Sequence, residues 1–336
     1  MKLRLKLYWI LCLIIAQPLW AQQRINAILW EPSFTSGPLL IFAKDGESPG
    51  SAVANFIRNG NSNFLKTAFN DQLSKVNQSE IKSISKADLA RSAVLIANNS
   101  SDLSRVSPRV LGFRKLFQVS GTKVIVLPSS LYSHITSESQ NQISHWIAEN
   151  VPLLIAMGGD DVHPSLYGQE LLHSKNTDFV RDNFEVGLIR TYLEKAKGFL
   201  LGICRGHQMS SVALGYSLIQ DIPLQYPDPI PHKNDEHLIR LRRTTHSILY
   251  NLFDGRPLIV NSLHHQAVRF KGDGPLEVSA VSEDGIVEAL ELRNGHGLFT
   301  QFHPELMRDQ TGLSIMNEIL RRKNIFSPKA CSQIYY

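Results

Sequence analysis

Through the middle of the chain, short unbroken apolar runs alternate with longer stretches in which apolar residues return every third or fourth position. KVIVLP (123–128), VPLLIAM (151–157) and GFLLGIC (198–204) are the short runs. Runs of this length, bounded by Gly, Pro or polar residues, predict buried strands. The stretches between them have helical spacing. In SPRVLGFRKLFQVSG, Ser107 stands as an N-cap ahead of Pro108 and a glycine closes the segment, which predicts a helix. SESQNQISHWIAEN (137–150) predicts a second. In FVRDNFEVGLIRTYLEKAK, Phe184, Leu188, Tyr192 and Ala196 fall at successive fourth positions, giving one apolar stripe. RGHQMSSVALG then reads as a helix closed by Gly215. Such alternation predicts an α/β fold with a mostly parallel sheet covered on both faces. INAILW (25–30) is an earlier buried strand. After residue 235 the character changes: EHLIRLRR, PLIVNSLHHQAV, LEVSAVS, VEALEL and GLFTQFHPE are short strands divided by Gly/Asp turns, predicting antiparallel additions. Residues 33–105 carry turn signals (TSGPLL, DGESPGSA, RNGNSNF) with only patchy helical spacing, and suggest no chemistry.

The chain has 336 residues, 43% of them hydrophobic, enough for one large or two modest domains. Its start is distinct. MKLRLK is basic, LYWILCLIIA is a short apolar core, and QPLWAQQ offers a cleavage point after Ala21, the plan of a secretory signal peptide over residues 1–21. The apolar run is short for a membrane span, and an uncleaved N-terminal anchor is the other reading. Removing residues 1–21 takes away Lys2, Arg4 and Lys6, so the formal charge of +5 becomes +2. No dense Lys/Arg stripe remains, and RLRR (240–243) reads as a strand with one wet face, which argues against nucleic acid as a partner. The expected mature chain, 22–336, is a single exported domain, periplasmic or secreted, with no membrane association. Cys204 and Cys331 survive cleavage, Cys331 in a polar tail. A free Cys204 is expected.

Four stretches carry candidate chemistry. In GICRGHQ (202–208), a strand ends at Cys204 and a helix begins at once, with glycine on each side to allow a sharp turn. This has the logic of a nucleophile elbow, with sulfur in place of oxygen. The helix N-terminus favours a thiolate, and the backbone N–H of Arg205 is placed to receive an oxyanion. A small buried structural cysteine is the other reading of the five-residue pattern. QFHPE supplies a base: His303 ends an apolar strand, held by Pro304, and Glu305 is placed to accept its second ring N–H. In GGDDVHPSLYG (158–168), Gly158 and Gly159 can expose backbone N–H groups to an oxyanion. Asp161 and His163 there read as solvated loop residues; their spacing fits a metal, but no nearby Cys/His set completes a site. In NSLHHQ (261–266), adjacent histidines on a strand point to opposite faces. Substrate binding and satisfaction of loop backbone groups are both open for His264.

Taken in order, GGDDVHPSLYG, GICRGHQ, VNSLHHQAV, EDGIVEALE and QFHPE resemble the class I glutamine amidotransferase-like proteins, in particular the peptidase C26 branch with its γ-glutamyl hydrolases. The resemblance covers roughly residues 120–320. It implies a flavodoxin-like three-layer α/β sandwich with antiparallel additions, and a Cys204–His303–Glu305 triad. It further implies oxyanion donors in the backbone N–H groups of Gly159 and Arg205, and a γ-glutamyl contact at Gln208. It implies neither a cofactor nor a metal. The activity implied is hydrolysis of γ-glutamyl amides, on a small-molecule or peptide substrate, with a homodimer compatible. A glutaminase subunit feeding ammonia to a synthase is a rival reading, though no synthase domain is visible. A non-catalytic binding protein on the same scaffold is another. Residues 33–105 depart from the family pattern and read as an insertion after the first strand, suited to capping the site or meeting a partner.

Overall fold

The structure is a computed structural model describing residues 25–325 apart from Asp71 and Lys75; the expected signal segment and Cys331 lie outside the described residues. Among the described residues, fourteen strands form in chain order. They are β1 (Ile25–Trp30), β2 (Leu39–Lys44), β3 (Ile81–Ser83), β4 (Ser92–Ala97), β5 (Lys123–Pro128), β6 (Leu153–Ala156) and β7 (Phe199–Ile203). The remainder are β8 (Ser217–Ile219), β9 (Lys233–Leu241), β10 (Leu258–Leu263), β11 (Ala267–Arg269), β12 (Leu276–Ser282), β13 (Val287–Leu292) and β14 (Gly297–Thr300). Twelve build one sheet in the order β10-β9-β12-β13-β14-β7-β6-β4-β5-β2-β1-β3, and β11 pairs with β8 beside it. From β14 to β2 every neighbour is parallel. Beyond, on both flanks, pairing is antiparallel. The expected α/β sheet with a parallel centre is present, and it is extended antiparallel at its N-terminal edge as well as after residue 235.

Side chains alternate across the central strands, as strand geometry requires. Ala93, Leu95 and Ala97 of β4 join the core under helices Pro49–Asn59, Pro108–Gln118 and Gln310–Ile325. Val94 and Ile96 join the opposite core under Ser137–Asn150, Phe179–Lys195 and Arg205–Ala213. Local signals set the helix ends. Ser107 caps Pro108–Gln118 by accepting from Val110 N–H, and Asp178 caps Phe179–Lys195. Among the described residues, no helix is long and apolar enough to cross a membrane.

Residues 33–105, expected as an insertion, are woven into the sheet. Their SAVLIA stretch is β4, wholly buried and paired on both sides, between β5 and β6. The segment is no simple appendage: a strand that is apolar beyond Ser92 can satisfy its backbone and bury both faces only inside a sheet. The histidines of NSLHHQ also depart from expectation, because β10 ends at Leu263 and both lie in the link to β11.

Candidate active site

Four adjacent parallel strands, β4, β6, β7 and β14, end on the same side, and a residue one to three positions past each end contributes to one cluster. These are Asn98, Gly158, Cys204 and His303. The carboxyl ends of strands are where open α/β sheets build their sites.

Cys204 has φ +52° and ψ −108°, a conformation costly for any residue with a side chain. The surroundings enforce it. Cys204 N–H donates to the Thr300 carbonyl at 2.8 Å, and its own carbonyl accepts from Gln208 N–H at 3.2 Å as the helix opens. Both neighbouring glycines are needed for close approach: a Cβ on Gly206 would lie 1.9 Å from the Ala156 carbonyl oxygen, and one on Gly202 would lie 2.8 Å from the Gly206 carbonyl oxygen. Cys204 is a free thiol at the start of Arg205–Ala213, where the first N–H groups lack helical partners.

His303 is buried, and its Nδ1 lies 2.7 Å from Glu305 Oε1. Burial opposes charge on this ring, but the Glu305 carboxylate and the hydrogen-bonded Cys204 sulfur outweigh it and push its pKa up to about 10. Asn261 clamps the His303 backbone from both sides, accepting from its N–H at 2.8 Å and donating to its carbonyl at 2.9 Å. A Cβ on Gly158 would come within 2.8 Å of His303 Cε1 and 3.6 Å of Cys204 Cβ, so glycine is required where loop, thiol and imidazole meet.

The Gly158 carbonyl accepts from Arg109 Nη1 at 2.6 Å and Asn98 Nδ2 at 3.2 Å. Because the peptide is planar and trans, this turns the N–H of Gly159 the opposite way. Gly159 itself is exposed. Arg109 is in turn held bidentate by buried Asp102. Arg205 is anchored under the elbow by Glu185 at 2.5 Å and Asp182 at 2.6 Å, and both acids sit on Phe179–Lys195. Arg181 joins through Asp182, and Ser129 hydrogen-bonds Glu185. Asn98, Asp102, Arg109, Asn261, Asp182 and Glu185 carry the site's geometry without having been singled out in the sequence. The available signal was modest: Asn98 follows an apolar run, and Asp182 and Glu185 fall beside the buried stripe of an otherwise amphipathic helix.

The other expected residues sort as follows. Gln208 is buried, its amide nitrogen donating to the Gln266 carbonyl and to Gln301 Oε1, both at 3.2 Å. His264 is not placed to bind substrate: its Nδ1 faces the Gln266 carbonyl at 3.0 Å and its Nε2 faces Glu288 at 3.5 Å, with the ring fully enclosed. The link between β10 and β11 turns it inward. Asp161 is not a solvated loop residue either. It accepts from Lys175 N–H at 2.7 Å and pairs at 3.0 Å with His265, tying the glycine loop to that link. His163 caps the turn Pro164–Tyr167.

The sequence profile of Peptidase C26 matches residues 112–305, more than half of the chain. The chain belongs to the Peptidase C26 family. It is 35% identical over 210 residues to "Putative glutamine amidotransferase-like protein YvdE" of Lactococcus lactis, covering 60% of this chain and 82% of that one. It is 34% identical over 229 residues to protein NtpR of Enterococcus hirae, covering 65% and 90%. Among solved structures, a glutamine amidotransferase of Thermotoga maritima aligns over 69% of this chain and 97% of its own, with 15% identity and a TM-score of 0.48. As a Peptidase C26 member the protein is an amidotransferase-type hydrolase of amide bonds.

Proposed function

We propose that the protein hydrolyses γ-glutamyl amides through a γ-glutamyl thioester on Cys204. The observation that carries the reading is the strained cysteine at a helix N-terminus beside a buried His303–Glu305 pair whose imidazolium is strongly favoured. The Cys204 thiolate attacks the γ-carbonyl carbon, and the oxyanion forms against the N–H groups of Gly159 and Arg205. His303, as imidazolium, gives its proton to the departing amine as the C–N bond breaks, leaving the thioester. The neutral ring then takes a proton from water, the hydroxide adds to the thioester, and collapse releases glutamate and the thiolate. Glu305 holds the ring and balances its charge at each stage. Gln208, one helical turn after Cys204, is assigned to the wall that receives the glutamyl group.

The test is a panel of γ-glutamyl amides with varied amines, read by intact mass and by release of glutamate. A γ-glutamyl adduct on Cys204, absent in Cys204→Ala, supports the reading, and the amines that react define the leaving group. Absence of adduct and of glutamate across the panel would reject hydrolysis and favour a binding protein on this scaffold.

A further inference from the structure

The antiparallel flank encloses a knot of ionisable side chains that amide hydrolysis does not use. At its centre is Glu288 of β13, with no exposed surface. Three imidazole nitrogens face its Oε1: His237 Nε2 at 3.2 Å, His232 Nδ1 at 3.4 Å and His264 Nε2 at 3.5 Å. His237 lies on β9, His232 just ahead of it, and His264 in the β10–β11 link. None of these approaches has hydrogen-bond geometry. Both Glu288 oxygens and all three facing nitrogens are buried without a hydrogen-bond partner. Unsatisfied polar atoms in such number are not a resting arrangement for a protein interior.

The outer sides of two rings are well satisfied. His232 Nε2 lies 2.9 Å from Asp284 Oδ2, and His264 Nδ1 lies 3.0 Å from the Gln266 carbonyl. A ring that donates outward to a carboxylate or carbonyl presents a lone pair inward, the usual second shell of a metal-bound histidine. The inward atoms of His232, His264 and Glu288 all lie within 4.8 Å of one another. A tetrahedral zinc with ligand bonds of about 2.0–2.1 Å has ligand–ligand edges of about 3.3 Å, close to the 3.4 and 3.5 Å that separate Glu288 Oε1 from His232 Nδ1 and His264 Nε2. Charge also balances: a dication matches the carboxylates of Glu288 and Asp284, both enclosed.

We propose that His232, His264 and Glu288 bind one divalent transition-metal ion of the zinc class, with Asp284 and the Gln266 carbonyl as the outer shell. The ion staples β9, the β10–β11 link and β13 together. The link carries Gln266, on which Gln208 leans. The role is therefore structural, behind the substrate side of the site. The sequence hides the set because its members come from three separate segments and match no compact ligand spacing.

The full chain, stripped with a chelator and exchanged into metal-free buffer, is titrated with Co²⁺ as a visible probe and then with Zn²⁺. One Co²⁺ per chain is expected to give d–d absorption of a four-coordinate nitrogen/oxygen site, lost when Zn²⁺ displaces it. Zn²⁺ at a hundredfold its Kd should raise the thermal midpoint by a few degrees. Glu288→Gln and His264→Gln should abolish both signals, and Asp284→Asn should weaken binding 10–100-fold. X-ray absorption at the zinc edge of the wild-type protein covers the case in which the variants fail to fold; at least two imidazole ligands are expected. Absence of stoichiometric uptake at micromolar metal, uptake unchanged in folded variants, or fewer than two imidazoles at the edge would each overturn the proposal.

Discussion

Gly206 gives the sharpest test of how the elbow is built. Replacing it by alanine adds one methyl group, 1.9 Å from the carbonyl oxygen of Ala156 and 2.4 Å from its carbon. To reach even 3.0 Å, the shortest separation seen for such contacts, something must retreat by at least about 1.1 Å. The obstacle is the backbone of β6, hydrogen-bonded in register to β7 on one side and β4 on the other, so no side chain can swing aside. The helix Arg205–Ala213 must lift instead, carrying the N–H of Arg205 and the thiol of Cys204 with it. Overpacking of a tight core costs about 1–3 kcal/mol, and a backbone clash belongs at the upper end. A displacement of about 1 Å among reacting groups costs roughly 10²-fold in rate. Gly206→Ala is therefore expected to lose about 3 kcal/mol in urea unfolding and about a hundredfold in kcat on the γ-glutamyl amide found active. Gly187→Ala is the control. Its Cβ would meet nothing within 4 Å, on an exposed face of Phe179–Lys195, so it should stabilise by about 0.5–1 kcal/mol and leave kcat alone. If Gly206→Ala kept turnover within threefold and its stability within about 0.5 kcal/mol, the account of the elbow would be wrong.

Cys204→Gly should be more stable than Cys204→Ala by about 1 kcal/mol in the same unfolding assay, because only glycine relieves the strain at φ +52°; the opposite order would remove the strain argument. Glu305→Gln should move the alkaline limb of kcat/KM, set near pH 10 by loss of the His303 proton, to lower pH, since the carboxylate is what raises that pKa; an unmoved limb would mean that another group sets it. The same shift has a stability consequence. A raised imidazole pKa contributes stability in full below about 6.5 and loses it as pH climbs to about 10, so melting temperatures should fall across that window in wild type and less in Glu305→Gln. Lys323, buried against Thr122 with its pKa pushed down to about 8 by desolvation, costs stability at neutral pH. Lys323→Met should gain about 1–2 kcal/mol at pH 7, the gain shrinking as pH rises from 8 to 10.5, and a gain independent of pH would point to packing alone.

The sequence by itself determined the parallel strands β5, β6 and β7 and the four helices around them, and it put forward Cys204, His303 and Glu305 as candidates. These rest on local physics: apolar period, caps, and the glycines that a tight strand-to-helix turn requires. β4 is just as plainly apolar, as SAVLIA, but it stands among turn signals and not between periodic helices. Only the tertiary structure decided that this run lies in the middle of the sheet and delivers Asn98 to the glycine loop. It also decided that His264 turns inward to Glu288, and that Asp102, Arg109, Asn261 and the Arg205 anchors hold the site. The physical reason is one of range. An element's type follows from neighbours a few positions away, whereas a buried polar side chain is defined by the partner that satisfies it. Arg109 finds Gly158 at a separation of 49 residues, and Asn261 finds His303 at 42.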